Sequence, residues 1–281
     1  MMNTSMLHCG RYRFPLREGA MPLIMGVLNV TPDSFSDGGQ FQSLDAVVSR
    51  AEQMIDEGVD IIDIGGESSR PGATPLPIDE ELRRILPIVF ALRDCGKPLS
   101  IDTYKPAVMV EVLAAGADMI NDISGFRDMA GLTAVKESDC GLCIMHMASD
   151  PQHMQRDPVY QDVVQQVSDF LSERVRQMEA CGIARERLSI DPGFGFGKTL
   201  EHNLALLKHI RQLATSLGLP LLAGMSRKSM IGNLTGRPVE QRLAGSLAAA
   251  IVATVNGAAI LRVHDVAETI DALKVWRAAT Q

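Results

Sequence analysis

The chain is short of the features that mark secreted, nucleic-acid-binding or disordered proteins. It has five cysteines in 281 residues, an odd and scattered set (Cys9, Cys95, Cys140, Cys143, Cys181). That usage argues against a disulfide framework and fits reduced thiols. Basic residues are not in excess: 27 Lys and Arg against 34 Asp and Glu leave a net charge of -7. No nucleic-acid or anionic-membrane surface is expected from such a balance. Low-complexity blocks and a self-similar sequence period are both absent. Residues 1–22 carry Arg11, Arg13, Arg17 and Glu18 and no apolar stretch resembling a signal peptide, so a cytoplasmic location is the default expectation. Long uncharged runs are lacking except for Leu243 to Leu261. Asn256 and Gly257 interrupt that run and Ala dominates it, which reads as a buried helix followed by a strand and not as a membrane span.

What is present is a regular alternation. With 46% hydrophobic and 22% charged residues the chain can bury a sizeable core. Short apolar, β-branched runs suggest strands near 23–30, 60–65, 98–102, 118–123, 141–147, 187–192, 220–225 and 259–264. Amphipathic patterns between them suggest helices near 43–57, 79–95, 105–116, 129–139, 159–181, 200–216, 239–256 and 265–278. Gly58, Gly96, Gly116, Gly182, Gly218 and Gly257 each follow a helical pattern and precede a strand, as C-terminal caps do. Eight βα units close an α/β (β/α)8 TIM barrel. One barrel domain over residues 1–281 is expected, with 1–21 as an N-terminal extension and 7–16 as an extended lid or hairpin over the barrel bottom. A doubly wound open sheet is the alternative from pattern alone.

Against the open sheet, polar residues close nearly every strand: Asn29, Asp63, Asp102, Asn121, His146, Asp191, Ser226 and His264. In a parallel barrel these ends converge on one mouth, the face that carries active sites. Two glycine-rich loops follow the first two strands. The first holds Thr31, Asp33 and Phe35, and the second holds Arg70; both are candidate lids. With only eight Phe in the chain, Phe35, Phe194 and Phe196 in polar loops favour ligand contact. Gly193 to Thr199 looks like a phosphate-binding loop, but Pro192 occupies the glycine position that motif requires. Cys140-x-x-Cys143 with His146 nearby lacks a second cysteine pair for zinc and is read as structural. Ser226-Arg227-Lys228 and Arg262-Val263-His264 bring cations to the part of a barrel mouth where anions often bind. Carboxylates at Asp102 and Asp191, with Asn121, require internal cations or a ligand presenting matching N–H groups, such as a heterocycle with an amidine-like edge.

These segments together resemble the dihydropteroate synthase family. The resemblance rests on Met25-Gly26-Val27-Leu28-Asn29-Val30-Thr31-Pro32-Asp33-Ser34-Phe35-Ser36-Asp37-Gly38-Gly39, Ile62-Asp63-Ile64-Gly65-Gly66-Glu67-Ser68-Ser69-Arg70-Pro71-Gly72, Ile120-Asn121-Asp122-Ile123, Asp191-Pro192-Gly193-Phe194-Gly195-Phe196-Gly197-Lys198, Gly224-Met225-Ser226-Arg227-Lys228-Ser229 and Arg262-Val263-His264-Asp265. It implies condensation of a dihydropterin methyl diphosphate with 4-aminobenzoate, assisted by magnesium (Mg2+), in a homodimer. It further implies that Asp102, Asn121, Asp191 and Lys228 hold the pterin, with Ser69 alongside. Arg262 and His264, with Mg2+ near Asn29, take the diphosphate. Ser69, Arg70, Pro71, Phe196 and Ser226 take the aminobenzoate, under lids that include Thr31, Asp33 and Phe35. The Ala-rich segment 243–256, whose small residues permit close approach, is the expected subunit contact. Two departures stand out: Ser69 replaces the usual Thr, and Tyr104 replaces a small residue. A pterin-binding methyltransferase shares the barrel but has no use for a diphosphate site, and a non-catalytic paralogue would be expected to lose some of these groups.

Overall fold

The alternation of strand and helix closes on itself. A computed structural model describes residues 4–17, 19–30, 40–68, 72–148, 154 and 158–280. The lid residues Thr31, Asp33 and Phe35 and the loop residues Ser69, Arg70 and Pro71 lie outside this set. Strands are β1 (Thr4–Cys9), β2 (Tyr12–Arg17), β3 (Leu23–Asn29), β4 (Ile61–Gly65), β5 (Leu99–Asp102), β6 (Met119–Asp122), β7 (Gly141–Met145), β8 (Leu188–Asp191), β9 (Leu222–Ala223) and β10 (Ile260–Val263). Helices are α1 (Gln40–Glu57), α2 (Ile78–Leu92), α3 (Pro106–Ala115), α4 (Met129–Lys136), α5 (Val163–Ala180), α6 (Leu200–Lys208), α7 (Ile210–Leu217), α8 (Ser229–Thr235), α9 (Leu243–Val255) and α10 (Val266–Thr280).

Eight of the strands form a parallel sheet in the order β8-β7-β6-β5-β4-β3-β10-β9. The two edges meet where Ile190 bridges Leu221 and the Ile190 N–H donates to the Pro220 carbonyl at 3.0 Å. The sheet is therefore a barrel, as the strand pattern predicts. Its helices begin and end on local signals: Pro106 opens α3, and Gly116 closes it at φ 113°. The other five glycines read as caps also have positive φ. Asp162 accepts N–H bonds from Val164 and Gln165 at 3.0 Å to start α5.

Two elements depart from the expected pattern. The helix expected over 200–216 is broken at His209 (φ -108°), whose N–H is shared between the Ala205 and Leu206 carbonyls. No Gly or Pro marks that break. Helix α8 was not expected, because Gly232 and Asn233 are poor helix formers. Packing overrides propensity there: Gly245 of α9 lies so close to Ile231 that a Cβ would come within 2.5 Å of its Cγ2.

Inside the barrel, side chains change character along the strands. At the N-terminal end Met25, Ile61, Met119, Cys143, Leu222 and Ile260 form one apolar layer, closed by Leu7 and Cys9 of the β1-β2 hairpin. Full burial of such a side chain is worth about 1.5–3 kcal/mol. Because strand side chains alternate, the next interior position lies two residues on. There Ile61 gives way to Asp63, Met119 to Asn121, and Ile260 to Arg262. Strands β5 and β8 share the tetrapeptide Leu-Ser-Ile-Asp, and each ends on its Asp. The uncharged run from Leu243 resolves into α9 and β10, and among the described residues no helix is long and apolar enough to cross a membrane.

Candidate active site

The interior residues above the apolar layer form a charged network at the C-terminal mouth. Asp63 is fully buried in β4. Its carboxylate accepts from Arg262 Nε at 2.7 Å, from Ser100 Oγ at 2.6 Å and, at longer range, from Asn121 Nδ2 at 3.5 Å. Arg262 Nη2 donates to Asp102 Oδ2 at 2.8 Å. The guanidinium thus lies between two buried carboxylates. Burial works against its charge, but Asp63 and Asp102 outweigh burial and raise its pKa. Lys105, close to Asp102 in the sequence, pairs with Glu67 and Glu81.

Asp102, Asn121 and Asp191 are buried at the ends of β5, β6 and β8, as expected. Burial pushes the Asp102 carboxyl up to about 7, opposed by Arg262 and reinforced by Asp63. It raises Asp191 as well, opposed first by Lys228. Asp191 Oδ1 accepts the Gly193 N–H at 2.7 Å. Lys228 stands at the N-terminal boundary of α8, and its Nζ donates to the Phe194 carbonyl at 2.6 Å and lies 4.5 Å from the Phe196 ring centroid. Burial lowers Lys228 to about 8. Asn121 Oδ1 is buried and accepts no hydrogen bond among the described residues.

On the β9–β10 side, Ser226 Oγ lies 3.0 Å from His264 Nδ1. Burial, then the nearby Arg262, hold His264 down at about 4. His264 is therefore a neutral imidazole near pH 7, not the cation the anion-site reading gave it. Arg227 also leaves the mouth: its left-handed backbone (φ 58°) aims the guanidinium at Asp265, with Nε to Oδ2 at 3.0 Å. Asn29, at the exposed end of β3, lies where a Cβ on Gly65 would approach its Oδ1 to 3.6 Å and the Asp102 Cβ to 3.8 Å.

Phe194 and Phe196 separate. Phe194 is fully buried in the main core between sheet and helices, so its expected ligand contact is corrected to packing. Phe196 faces the mouth with Ile123, Met145, Met147 and Met154. Cys143 belongs to the bottom layer and Cys140 is buried.

Three groups escaped the sequence reading of the site. Asp63 was seen only as one more polar strand end. Lys198 lies in the loop that departs from the phosphate-binding motif, and its Nζ contacts His146 Nδ1 at 3.0 Å and the Gly193 and Phe196 carbonyls at 3.0 Å each. Glu67 fastens the second loop, accepting the Leu76 N–H at 2.6 Å, the Tyr104 hydroxyl at 2.8 Å and the Lys105 ammonium. Tyr104, the departure from the resembled pattern, thus has a partner. The signal for Asp63 and Ser100 was the period of two along β4 and β5.

Comparison with known proteins gives a consistent result. A family profile described as pterin binding enzyme matches residues 25–264. The dihydropteroate synthase of Haemophilus influenzae is 48% identical over 92% of this chain and 94% of its own length. A crystal structure of Burkholderia cenocepacia dihydropteroate synthase complexed with 7,8-dihydropteroate is similar at a TM-score of 0.89 and 51% identity, covering 98% of this chain and 96% of that one. The Xanthomonas albilineans dihydropteroate synthase with 4-aminobenzoic acid is similar at a TM-score of 0.91 and 48% identity, covering 99% and 98%.

Proposed function

We infer, since this chain belongs to the pterin-binding enzyme family and within it to the dihydropteroate synthases, that it condenses (7,8-dihydropterin-6-yl)methyl diphosphate with 4-aminobenzoate. The products are 7,8-dihydropteroate and diphosphate, a step of folate biosynthesis. The observation that carries this reading is that Asp102, Asn121, Asp191, Lys228 and Arg262 lie at one mouth, where the buried Asn121 Oδ1 has no hydrogen-bond donor among the described residues. A planar heterocycle with N–H groups on one edge and acceptors on another fits that set.

Asp191 accepts the paired N–H groups of the aminopyrimidinone, Asn121 both donates and accepts, and Lys228 donates to the ring oxygen and nitrogen. Arg262 and neutral His264 bind the diphosphate, for which Arg262 exchanges part of its pairing with Asp63 and Asp102. The aminobenzoate lies against Phe196 and Ser226, with Ser69, Arg70 and Pro71 from the second loop. Thr31, Asp33 and Phe35 cover the site.

In the reaction the methylene–oxygen bond to diphosphate breaks, the amine nitrogen bonds to that carbon, and the amine proton is released. Each tenfold in rate requires about 1.36 kcal/mol of transition-state stabilisation. Cations aimed at the departing oxygens supply it where water is excluded. Asp102 and Asp191 favour positive charge on the pterin, which supports departure of diphosphate before the amine attacks. Among the described residues no cluster of three His, Cys, Asp or Glu could hold a metal alone. One amide oxygen at Asn29 fits Mg2+, a cation that takes few protein ligands and the rest from substrate phosphate and water. When bound, Mg2+ neutralises leaving-group charge. The same reading takes the chain as one domain acting as a homodimer through α9, whose Val252 and Val255 are exposed.

The test is an assay with dihydropterin methyl diphosphate, 4-aminobenzoate and Mg2+, following dihydropteroate and diphosphate together. Equal amounts of both, abolished by EDTA, are expected. Pterin binding without either product would overturn the synthase reading.

A further inference from the structure

Lys198 is 4% exposed, and among the described residues no carboxylate lies within ion-pair distance of its Nζ. A buried ammonium is costly unless its N–H groups are satisfied. Here they are met by neutral acceptors only: His146 Nδ1, the Gly193 carbonyl and the Phe196 carbonyl at 3.0 Å, with the His146 carbonyl at 3.3 Å. Four neutral acceptors at such distances are the surroundings of a bound monovalent cation more than those of a salt bridge.

What this cage holds together is the turn after β8. Phe196 N–H closes the turn on the Gly193 carbonyl at 3.1 Å, and Lys198 bonds both ends of it while tying it to the end of β7. The backbone is pressed against its neighbours: Gly193, at φ 72°, sits where a Cβ would come within 1.9 Å of the His146 carbonyl oxygen. On its other side the turn offers its Phe194 carbonyl to Lys228 Nζ at 2.6 Å and its Phe196 ring at 4.5 Å. A Cβ on Gly195 would stand 3.2 Å from Lys228 Cδ.

We propose that Lys198 is a positioning residue: its buried ammonium is the fixed internal cation around which residues 193–197 fold, and through that turn it sets Lys228 and Phe196 for the pterin substrate. This rests on the synthase reading for the identity of that substrate. With Lys198 donating to Nδ1, the His146 proton sits on Nε2, and burial followed by the Lys198 charge keeps that imidazole neutral, its pKa held down at about 2. Burial lowers Lys198 to about 7, opposed first by the nearby Asp191, so the cation is fully present below that pH and the binding tests belong near pH 6.

The test uses Lys198→Ala in the full chain, which leaves the four-acceptor cage open to a small cation. Binding of the dihydropterin methyl diphosphate should weaken by about 10- to 100-fold, as displacement of a first-contact group by its support does. Ammonium or methylammonium chloride should restore a large part of it, and sodium chloride at equal ionic strength should not. Leu188→Ala, at a fully buried position of β8 away from the turn, serves as a control of comparable thermal destabilisation and should bind pterin like the parent. Where Ala at 198 prevents folding, Lys198→Gln keeps bulk and N–H donors without charge and should show the same weakening. Pterin binding by Lys198→Ala equal to that of the parent, or weakened only as much as in Leu188→Ala and indifferent to ammonium, would overturn the proposal. A parent protein that binds no pterin would overturn the synthase reading and the proposal with it, a result distinct from parent and variant binding alike.

Discussion

The two ends of one barrel are built from the same strands by opposite rules. At the bottom, Met25, Ile61, Met119, Cys143, Leu222 and Ile260 meet the hairpin residues Leu7 and Cys9 in a closed apolar layer. Two residues further along three of those strands, Asp63, Asn121 and Arg262 begin a network of polar, mostly charged groups beside the Met145 and Phe196 apolar cluster. One step of two residues converts a packing surface into a binding surface. The bottom gains stability from burial that asks nothing of geometry beyond shape. The mouth carries buried charges that are weak contributors to stability and are held in place by one another and by neutral partners such as Ser100 and the Gly193 N–H. Stability and chemistry are thereby separated along the barrel axis, and substitutions at the two ends should have different signatures.

The largest expected effect is at the mouth. Lys228→Ala and Asp191→Ala should each lower kcat/KM by about 10²- to 10³-fold, the range for removing a group aimed at developing charge. Their thermal midpoints should shift little by comparison; steady-state kinetics beside thermal unfolding checks both. At the bottom, Leu7→Ala should cost about 2–5 kcal/mol of unfolding free energy in a denaturant titration. Its kcat/KM per folded molecule should match the parent. If Leu7→Ala lost activity in proportion to Lys228→Ala, the separation of the two ends would not hold.

A smaller effect sharpens the comparison within the mouth. Tyr104→Phe removes the hydroxyl that donates to Glu67 at 2.8 Å. A net loss of about 1 kcal/mol is expected, together with a raised KM for 4-aminobenzoate and an unchanged KM for the pterin substrate. A further difference is in pH dependence. His264 is depressed to about 4 from 6.5, chiefly by burial. Its contribution to stability is therefore present above about pH 6.5 and is lost as pH falls toward 4. Asp102, raised to about 7 from 3.8 by burial, has the opposite sign: the penalty for its buried charge fades as pH falls through that window. His264→Asn should remove the His264 contribution and keep the others, Asp102 among them, so its midpoint should gain on the parent's as pH drops from 6.5 to 4. A parallel pair of curves would rule that out.

Much of this architecture could be read in the chain. All eight barrel strands fall inside the stretches marked by β-branched runs, because strand length and glycine caps are local signals. The hairpin over the bottom was expected over 7–16 and spans 4–17. Polar strand ends and their convergence follow from topology, so the placement of Asp102, Asn121 and Asp191 at the mouth is legible in the sequence, and that of Lys228 from its Ser226-Arg227-Lys228 motif. What was not legible depends on long-range packing. The break at His209 has no local mark, α8 forms from residues with poor propensity, and Phe194 turns into the core where a glycine-rich loop suggested exposure. Pairing was the hardest element. Arg262 looked free to meet an anion, yet it lies 199 and 160 residues from the carboxylates it bridges. Arg227, in a motif of cations, is turned aside by one left-handed backbone residue.

The central claim is that the charged layer at the mouth is a pterin site. Calorimetric titration of the parent protein and Asp191→Asn with dihydropterin methyl diphosphate, in the presence of Mg2+ and without aminobenzoate, tests it most directly. The account predicts one site per chain in the parent and a loss of affinity by about 10²-fold in the variant, in which a buried acceptor for the pterin N–H groups has been replaced by an amide. Equal binding by the two proteins would contradict it.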